Sequence, residues 1–185
     1  KGVYTVDIDQ NALQNLLDKQ AISELVNRYC RAADRHDNES MRELYFDDAT
    51  DDHGGFFKGM AMDFIDELPE IQKPMKILHH NVTTHNIELN GDKAEGEVYV
   101  LAFHQAEAAG GQVMDFLVGG RYLDKYEKRQ GEWKFSARAV LADWVHFNEP
   151  TKVQLDHPGV TGSLIGKPRQ EDPSYEFFDG FAWKS

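Results

Sequence analysis

The sequence predicts an α+β domain in which helices come first and a meander of long antiparallel strands follows. Apolar residues recur at three- and four-residue steps over residues 11–34, the spacing of one helix face. After Pro74 the pattern changes to strand-like runs separated by glycine-containing turns. This order of elements indicates helices packed on one face of a curved antiparallel sheet.

Three helices are predicted in the first part of the chain. The first covers residues 11–34, and a short second helix begins near Asn38 and carries Tyr45. A third helix is predicted over residues 60–68 and should end at Pro69, because proline cannot donate the next helical hydrogen bond. The polar residues before the first helix are expected to form an extended lead-in.

Four long strands are predicted in the second part, joined by turns with the letters "NGD", "AEAAGG" and "RQGE". Apolar residues change faces between Val82 and Ile87, so a bulge is expected near residues 83–86, and Gly119 and Gly120 indicate a second bulge or bend. The strands cover residues 76–89, 93–105, 112–128 and 133–147.

The chain is expected to divide into a folded domain over residues 1–148 and an irregular extension over residues 149–185. Four of the prolines lie in the extension, yet it keeps several aromatic residues, unlike a disordered tail. We expect it to pack over the pocket or on a neighbouring subunit.

Composition limits the possible partners. The formal net charge is −12 over 185 residues, which disfavours binding to nucleic acids and to anionic membrane surfaces. No apolar run is long enough to span a bilayer, and the N-terminus lacks the apolar core of a signal peptide. With a single cysteine, Cys30, neither an internal disulfide nor a cysteine-rich zinc site is possible, and we expect a cytoplasmic protein.

His80 and Asp34 are the first candidates for catalysis. Leu78, His80 and Val82 alternate to one face of a strand, so His80 should point inward whereas His79 should be exposed. Asp34 lies at the end of the first helix, where the helix dipole disfavours a carboxylate. An aspartate that fixes the tautomer of a histidine makes the other ring nitrogen a general base. A core histidine and a solvated helix-end carboxylate are the alternatives.

Arg138 and Tyr29 are further candidates. Arg138 shares a strand face with apolar residues up to Trp144, so its guanidinium needs either a structural carboxylate or a substrate anion. Tyr29 lies on the inner stripe of the first helix, where it could donate a hydrogen bond or simply pack.

Metal and nucleotide sites are not expected. The run "DDATDDHGG" lacks the spacing of a calcium loop and is interpreted as a solvated acidic loop. The scattered histidines are not supported by a helical histidine pair or by cysteines. No glycine pattern for binding dinucleotides or phosphates is present, and we expect no cofactor.

Three stretches of the chain, which together span roughly residues 15–148, resemble SnoaL-like proteins of the NTF2-like superfamily. They are "AISELVNRYCRAADRHDNESMRELYFDDATDDHGGFFKG", "HHNVTTHNIELNGDKAEGEVYVLAFH" and "VGGRYLDKYEKRQGEWKFSARAVLADWV". The resemblance implies a cone-shaped α+β barrel around a deep pocket. The pattern is similar to the group that includes hexachlorocyclohexane dehydrochlorinase, bile acid 7α-dehydratase and scytalone dehydratase.

The resemblance also implies functional residues. The histidine–aspartate dyad of the family falls on His80 and Asp34, its arginine on Arg138, and a contributing tyrosine on Tyr29. One departure from the family pattern is Thr84, where an asparagine is frequent. The residues expected to contact substrate are Tyr45, Val82, Thr84, His104 and Trp144.

The leading hypothesis is therefore a cofactor-independent lyase acting on a hydrophobic aromatic or polycyclic substrate. It would eliminate water or halide, or lose a small fragment such as formaldehyde by a retro-aldol-type step. The alternatives are an isomerase of the ketosteroid-isomerase type and a non-catalytic module for binding or assembly. A homo-oligomer is expected, with a trimer favoured over a dimer.

Overall fold

A computed structural model describes residues 9–180 of the chain. Its helices are α1 (Gln10–Asp34), α2 (Asn38–Glu43), α3 (Ala61–Gln72) and a last short turn α4 (Ser174–Phe177). The predicted lead-in lies outside the described residues except for its last two positions. There the Asp9 side chain caps α1 by accepting hydrogen bonds from the backbone N–H groups of Asn11 and Ala12.

Six strands form one curved sheet in the order β2-β1-β6-β5-β4-β3. Strand β1 runs parallel to β6, and all other neighbouring pairs are antiparallel. The sheet is not closed, so β2 and β3 are its edges and β5 and β6 lie in its interior. The strands are β1 (Tyr45–Asp52), β2 (Lys58–Met60), β3 (Met75–Asn90), β4 (Lys93–Glu107), β5 (Val113–Arg129) and β6 (Glu132–Asn148).

The predicted helices are present, with two corrections. Helix α2 ends before Tyr45, which begins β1 instead. Helix α3 does not end at Pro69 but continues to Gln72. Three buried apolar side chains on one face of α3, Phe64, Ile65 and Leu68, fix the helix on the core, and this packing outweighs the hydrogen bond that Pro69 cannot make.

The expected acidic loop was wrong, because much of it forms β1. Asp47 and Asp48 are exposed, but Asp51 is 1% exposed and accepts a hydrogen bond from the Tyr45 hydroxyl at 2.9 Å. His53 Nδ1 lies 2.5 Å from Asp51 on its other side. Strand β1 was missed because strands rarely contain so many aspartates, and β2 because its three residues are too few to show an alternating pattern.

Both expected bulges are confirmed. The register of β3 against β4 shifts between Val82 and Thr84, which leaves Thr83 as the extra residue. The register of β5 against β6 shifts at Gly119 and Gly120, where Asp143 is the extra residue on β6. Each bulge moves the following side chains to the opposite face of the sheet.

The core lies between α1 and the concave face of the sheet. Asp18 of α1 joins the two layers at one end, since it accepts hydrogen bonds from Lys128 at 2.8 Å and from Trp133 Nε1 at 2.9 Å. At its other end α1 packs against β3. The extension adds two 3-10 turns, Pro158–Val160 and Arg169–Glu171, and returns to that end of α1.

No helix within residues 9–180 is both long enough and apolar enough to cross a membrane.

Candidate active site

His80 and Asp34 meet where the end of α1 packs on β3. The His80 Nδ1 donates to Asp34 Oδ1 at 2.6 Å, and the His80 backbone N–H is 3.1 Å from both carboxylate oxygens. An ionised carboxylate can only accept hydrogen bonds, so in the neutral imidazole the proton is assigned to Nδ1 and Nε2 carries the lone pair. These bonds to His80 offset the poor position of Asp34 at the C-terminal end of a helix dipole.

The dyad is shielded but accessible. The side chains of His80 and Asp34 are 11% and 15% exposed. The His80 Nε2 makes no hydrogen bond within residues 9–180. An oriented imidazole with one nitrogen held and the other available has the arrangement of a general base.

A cavity of about 480 Å³ adjoins the dyad. Helix α1, strand β3 and the extension each contribute to its wall, which is mostly polar. The lining residues are Asn27, Cys30, Arg31, Asp34, Arg35, His80, Asn81, Val82, Asp172 and Ser174. Of the predicted substrate contacts, Val82 alone is in this wall.

His104 lies beside the dyad on the neighbouring strand β4. Its ring meets that of His80 edge to face with centroids 5.3 Å apart, and it stacks on Phe116 at 4.7 Å. Burial and the nearby His80 lower the pKa of His104 to about 4, so the ring is neutral near pH 7. Its buried Nδ1 has no hydrogen-bond partner in the described chain. Because Nδ1 is buried, a polar substrate atom could reach the neutral His104 ring only at Nε2.

Apolar side chains on the same concave face were missed by the sequence analysis. Strand pairing places Phe116 and Val118 of β5 opposite Phe147 and Val145 of β6. Val145 is 62% exposed and Phe147 is 50% exposed although both are on the inner face. The bulge at Asp143 produces this arrangement, and a strand pattern without it would have placed Trp144 there instead.

Arg138 and Tyr29 lie in the core and not in the cavity wall. Arg138 Nε and Nη2 donate to the two carboxylate oxygens of Asp124, both at 2.7 Å, and both side chains are 0% exposed. The guanidinium carbon lies 4.0 Å from the centroid of the Tyr29 ring, with Tyr122 and Phe135 at similar distances. Burial alone would lower the pKa of Arg138, but Asp124 raises it well above its ordinary value.

This position corrects the expectation that Arg138 meets a substrate anion. Its partner is the alternative that the sequence left open, a structural carboxylate, here that of Asp124. Aromatic rings pack against the guanidinium. Tyr29 is 4% exposed, and burial raises the pKa of its hydroxyl well above the ordinary value. Its position is that of a packing residue.

Three expected substrate contacts are also placed elsewhere. Tyr45 is 2% exposed and donates to Asp51 in the core. Thr84 is exposed on the outer face, because the bulge at Thr83 turns it away and brings His85 inward. Trp144 is on the outer face over Gly119 and is 49% exposed, because the bulge at Asp143 turns it outward.

Among residues 9–180, no group of three or more His, Cys, Asp or Glu side chains is arranged to hold a metal ion. The chemistry that the described side chains themselves offer is proton transfer by His80, oriented by Asp34, with His104 beside them.

Comparisons with known proteins agree with this fold. Residues 14–139 match the profile of the SnoaL-like domain. No curated protein shows significant sequence similarity to the chain.

Solved structures show the same architecture, the expected NTF2-like fold. LinA is 25% identical and superposes with a TM-score of 0.68, over 80% of this chain and 99% of LinA. The hexachlorocyclohexane dehydrochlorinase LinA-type3 from Novosphingobium barchaimii is 21% identical, with a TM-score of 0.67 over the same shares. A scytalone dehydratase-like protein from Novosphingobium aromaticivorans is 22% identical, with a TM-score of 0.64 over 76% of this chain and 91% of that one.

Proposed function

Since the chain belongs to the SnoaL-like domain family and holds a histidine on an aspartate at a cavity, we propose that it is a cofactor-independent lyase. The observation that carries the proposal is the set of hydrogen bonds from His80 to the Asp34 carboxylate. The similarity to a dehydrochlorinase and to a scytalone dehydratase-like protein supports the same reaction class.

His80 Nε2 would remove a proton from a carbon or a hydroxyl group of the substrate. In an elimination, the electron pair of the broken C–H bond becomes the new double bond. Halide leaves with its own pair, or hydroxide leaves with its pair and takes the proton from the His80 imidazolium to become water. In a retro-aldol-type step, the O–H pair becomes the second bond of a carbonyl and a carbon–carbon bond breaks. The pair of that bond passes to the other fragment as an enolate, which takes the proton back from the His80 imidazolium. Asp34 would stabilise the imidazolium that forms in either case, and a positioned base contributes about 100- to 10,000-fold to such reactions.

The environment of the dyad suggests how a substrate would bind. Val145 and Phe147, exposed on the concave face, provide apolar contact area for an aromatic or polycyclic body. His104, neutral at pH 7, would donate a hydrogen bond to the leaving or carbonyl oxygen. His104 thereby replaces Arg138 in the role of stabilising developing negative charge.

The test is an absorbance screen of the purified protein, with a chelator present, against hydrophobic aryl alcohols, diols, β-hydroxy ketones and halides. Elimination or fragmentation creates conjugation, which produces a new band at longer wavelength. We expect a band with the wild type and with His79→Ala, whose side chain is exposed on the outer face. His80→Ala should abolish it.

The outcomes separate the candidate functions. A band that survives His80→Ala would exclude the dyad as the catalyst. A shifted double bond without loss of a fragment would identify an isomerase. Tight binding of panel compounds without conversion would identify a binding module.

We also propose that the protein is a homo-oligomer, with a trimer favoured, that buries the convex face of the sheet. Apolar side chains are exposed there on three neighbouring strands: Tyr99 and Leu101 of β4, Leu123 of β5 and Trp144 of β6. Light scattering after size exclusion would give the subunit number. Trp144→Glu should reduce the mass to that of one chain, and an unchanged mass would exclude this face as the interface.

A further inference from the structure

The extension returns to the helix end that carries Asp34. The Arg169 backbone N–H donates to the Arg35 carbonyl at 2.6 Å. The Tyr175 hydroxyl donates to Asp37 Oδ2 at 3.1 Å. Two stretches, residues 35–37 and 169–175, are thus joined across more than a hundred positions of sequence. The extension therefore has a defined place on its own chain, next to the dyad.

Asp172 organises this part of the extension. Its Oδ2 accepts from Arg35 Nη1 at 2.8 Å and from the Lys167 N–H at 2.9 Å. Its Oδ1 accepts from the backbone N–H and the hydroxyl of Ser174 at 3.0 and 2.5 Å. Burial alone would raise the pKa of Asp172, but the hydrogen bonds from Ser174, Lys167 and Arg35 outweigh burial and lower the pKa to about 2. The carboxylate therefore stays ionised at neutral pH.

Arg35 connects the extension to both elements that carry the dyad. It directly follows Asp34, and its Nη1 donates to the Lys167 carbonyl at 3.1 Å as well as to Asp172. Its Nη2 approaches the carbonyl of Leu78, two residues before His80, at 3.5 Å. The side chains of Arg35 and Asp172 are 19% and 9% exposed. Separating Arg35 from Asp172 would leave each charge unpaired in a largely buried position, which costs free energy. The ion pair therefore holds the extension in place.

We propose that the Arg35–Asp172 ion pair is a latch that holds the extension against the dyad's cavity and so limits access to Cys30 and His80 from this side. Asp172 and Ser174 form part of the cavity wall, together with Asn27 and Cys30 of α1. The inference deepens the proposed function, because it concerns entry to the proposed catalytic site. The closing experiment, however, uses no substrate.

Cys30 provides the readout. It is the single cysteine of the chain, it lines the cavity and it is 6% exposed. Burial raises the pKa of its thiol to about 12, so it reacts slowly in the closed state. The rate of its modification by N-ethylmaleimide, followed by intact mass at one fixed pH, reports how often the cavity opens.

We expect Asp172→Asn to speed this modification by about 10- to 100-fold, since it removes a charge-assisted hydrogen bond from the latch. Asp172→Glu keeps the charge and should be accelerated less. Ser174→Ala removes one of the hydrogen bonds to Asp172, so its modification rate should lie between those of the wild type and Asp172→Asn. This variant replaces Asp172→Asn as the test if Asp172→Asn does not fold. The matched control is Asp143→Asn, which breaks a bidentate arginine pair on the convex face and should leave the rate unchanged.

A second control separates local opening from global unfolding. Asp18→Asn weakens the opposite end of α1 without touching the extension. If Asp18→Asn and Asp172→Asn speed the reaction equally for an equal fall in Tm, or if Asp172→Asn reacts at the wild-type rate, the latch is excluded. If the rate of Cys30 modification depends on the latch but the protein has no lyase activity, this inference stands and the proposed function is rejected. If the protein is a lyase but the modification rate does not depend on the latch, the proposed function stands and this inference is rejected.

Discussion

Two pairs in this molecule, each of an aspartate with a basic side chain, look alike in sequence and differ in structure. Asp34 and His80 lie at a cavity, with side chains 15% and 11% exposed. Asp124 and Arg138 lie in the core, both 0% exposed. The first pair leaves His80 Nε2 available, whereas the second uses two guanidinium nitrogens on one carboxylate. An inward-facing charge therefore indicates a catalytic site only where a cavity reaches it.

The position of each pair in the sheet explains the difference. His80 is on β3, an edge strand that is covered by the end of a helix and by the extension, so a cavity can form beside it. Asp124 and Arg138 face each other on β5 and β6, in the interior of the sheet. Aromatic rings from α1 and from the sheet pack against the guanidinium of the second pair, and neither of its side chains is exposed.

The largest expected effect is on turnover, when the pair at the cavity, Asp34 and His80, is changed. Asp34→Asn should lower kcat by about 100- to 10,000-fold, because the amide no longer fixes the His80 tautomer or stabilises the imidazolium. The change in unfolding free energy should be much smaller than the change in the activation barrier. Turnover of a substrate found in the absorbance screen, together with urea unfolding, measures both. A variant that keeps more than about a tenth of wild-type turnover would remove Asp34 from the mechanism.

The buried pair should show the opposite behaviour. Asp124→Asn leaves the Arg138 charge unpaired in the core and should cost about 3–5 kcal/mol of unfolding free energy. Urea unfolding measures this loss. The matched variant Asp143→Asn weakens the exposed pair with Arg121 and should cost far less, because solvent screens an exposed ion pair. Equal losses in the two variants would contradict the assignment of Asp124–Arg138 as the structural pair.

The sequence was sufficient for α1, for the four long strands and for both bulges, because these depend on local periodicity and turns. The contact between Asp34 and His80 joins distant parts of the chain, and the family resemblance led to it. The partner of Arg138 could not be found by counting back through the "RQGE" turn, because the count places Leu123 opposite Arg138. A further register shift between Lys125 and Tyr126 brings Asp124 there instead. The Arg35–Asp172 pair has no local signal at all, and β1 was hidden by its aspartates.

His104 should make the stability of the protein depend on pH. Burial first, and then the nearby His80, lower its pKa to about 4 in the folded protein, below the ordinary histidine value of about 6.5. The unfolded chain therefore takes up a proton between about pH 6.5 and pH 4 that the folded protein does not. As the pH falls through this window, up to about 3 kcal/mol of stability should be lost.

The His104→Phe variant isolates this contribution. Phenylalanine keeps a ring on Phe116 but has no titratable nitrogen. Urea unfolding of both proteins at several pH values gives the difference between their slopes. The variant should lose less stability than the wild type on acidification over this window. Parallel curves would show that His104 binds its proton equally well in the folded protein.

The smallest expected effect tests which face of β3 belongs to the site. Thr84→Val lies on the exposed outer face beyond the bulge, so it should change the unfolding free energy by less than about 0.5 kcal/mol and turnover by less than about twofold. The reciprocal change Val82→Thr places a hydroxyl in the cavity wall, and it should change KM by about fivefold, which corresponds to about 1 kcal/mol. The two variants exchange the same residue types, so their comparison depends on position alone. If Thr84→Val impaired turnover more than Val82→Thr, then Thr83 would not be the extra residue of the bulge, and Thr84 would return to the substrate-binding face.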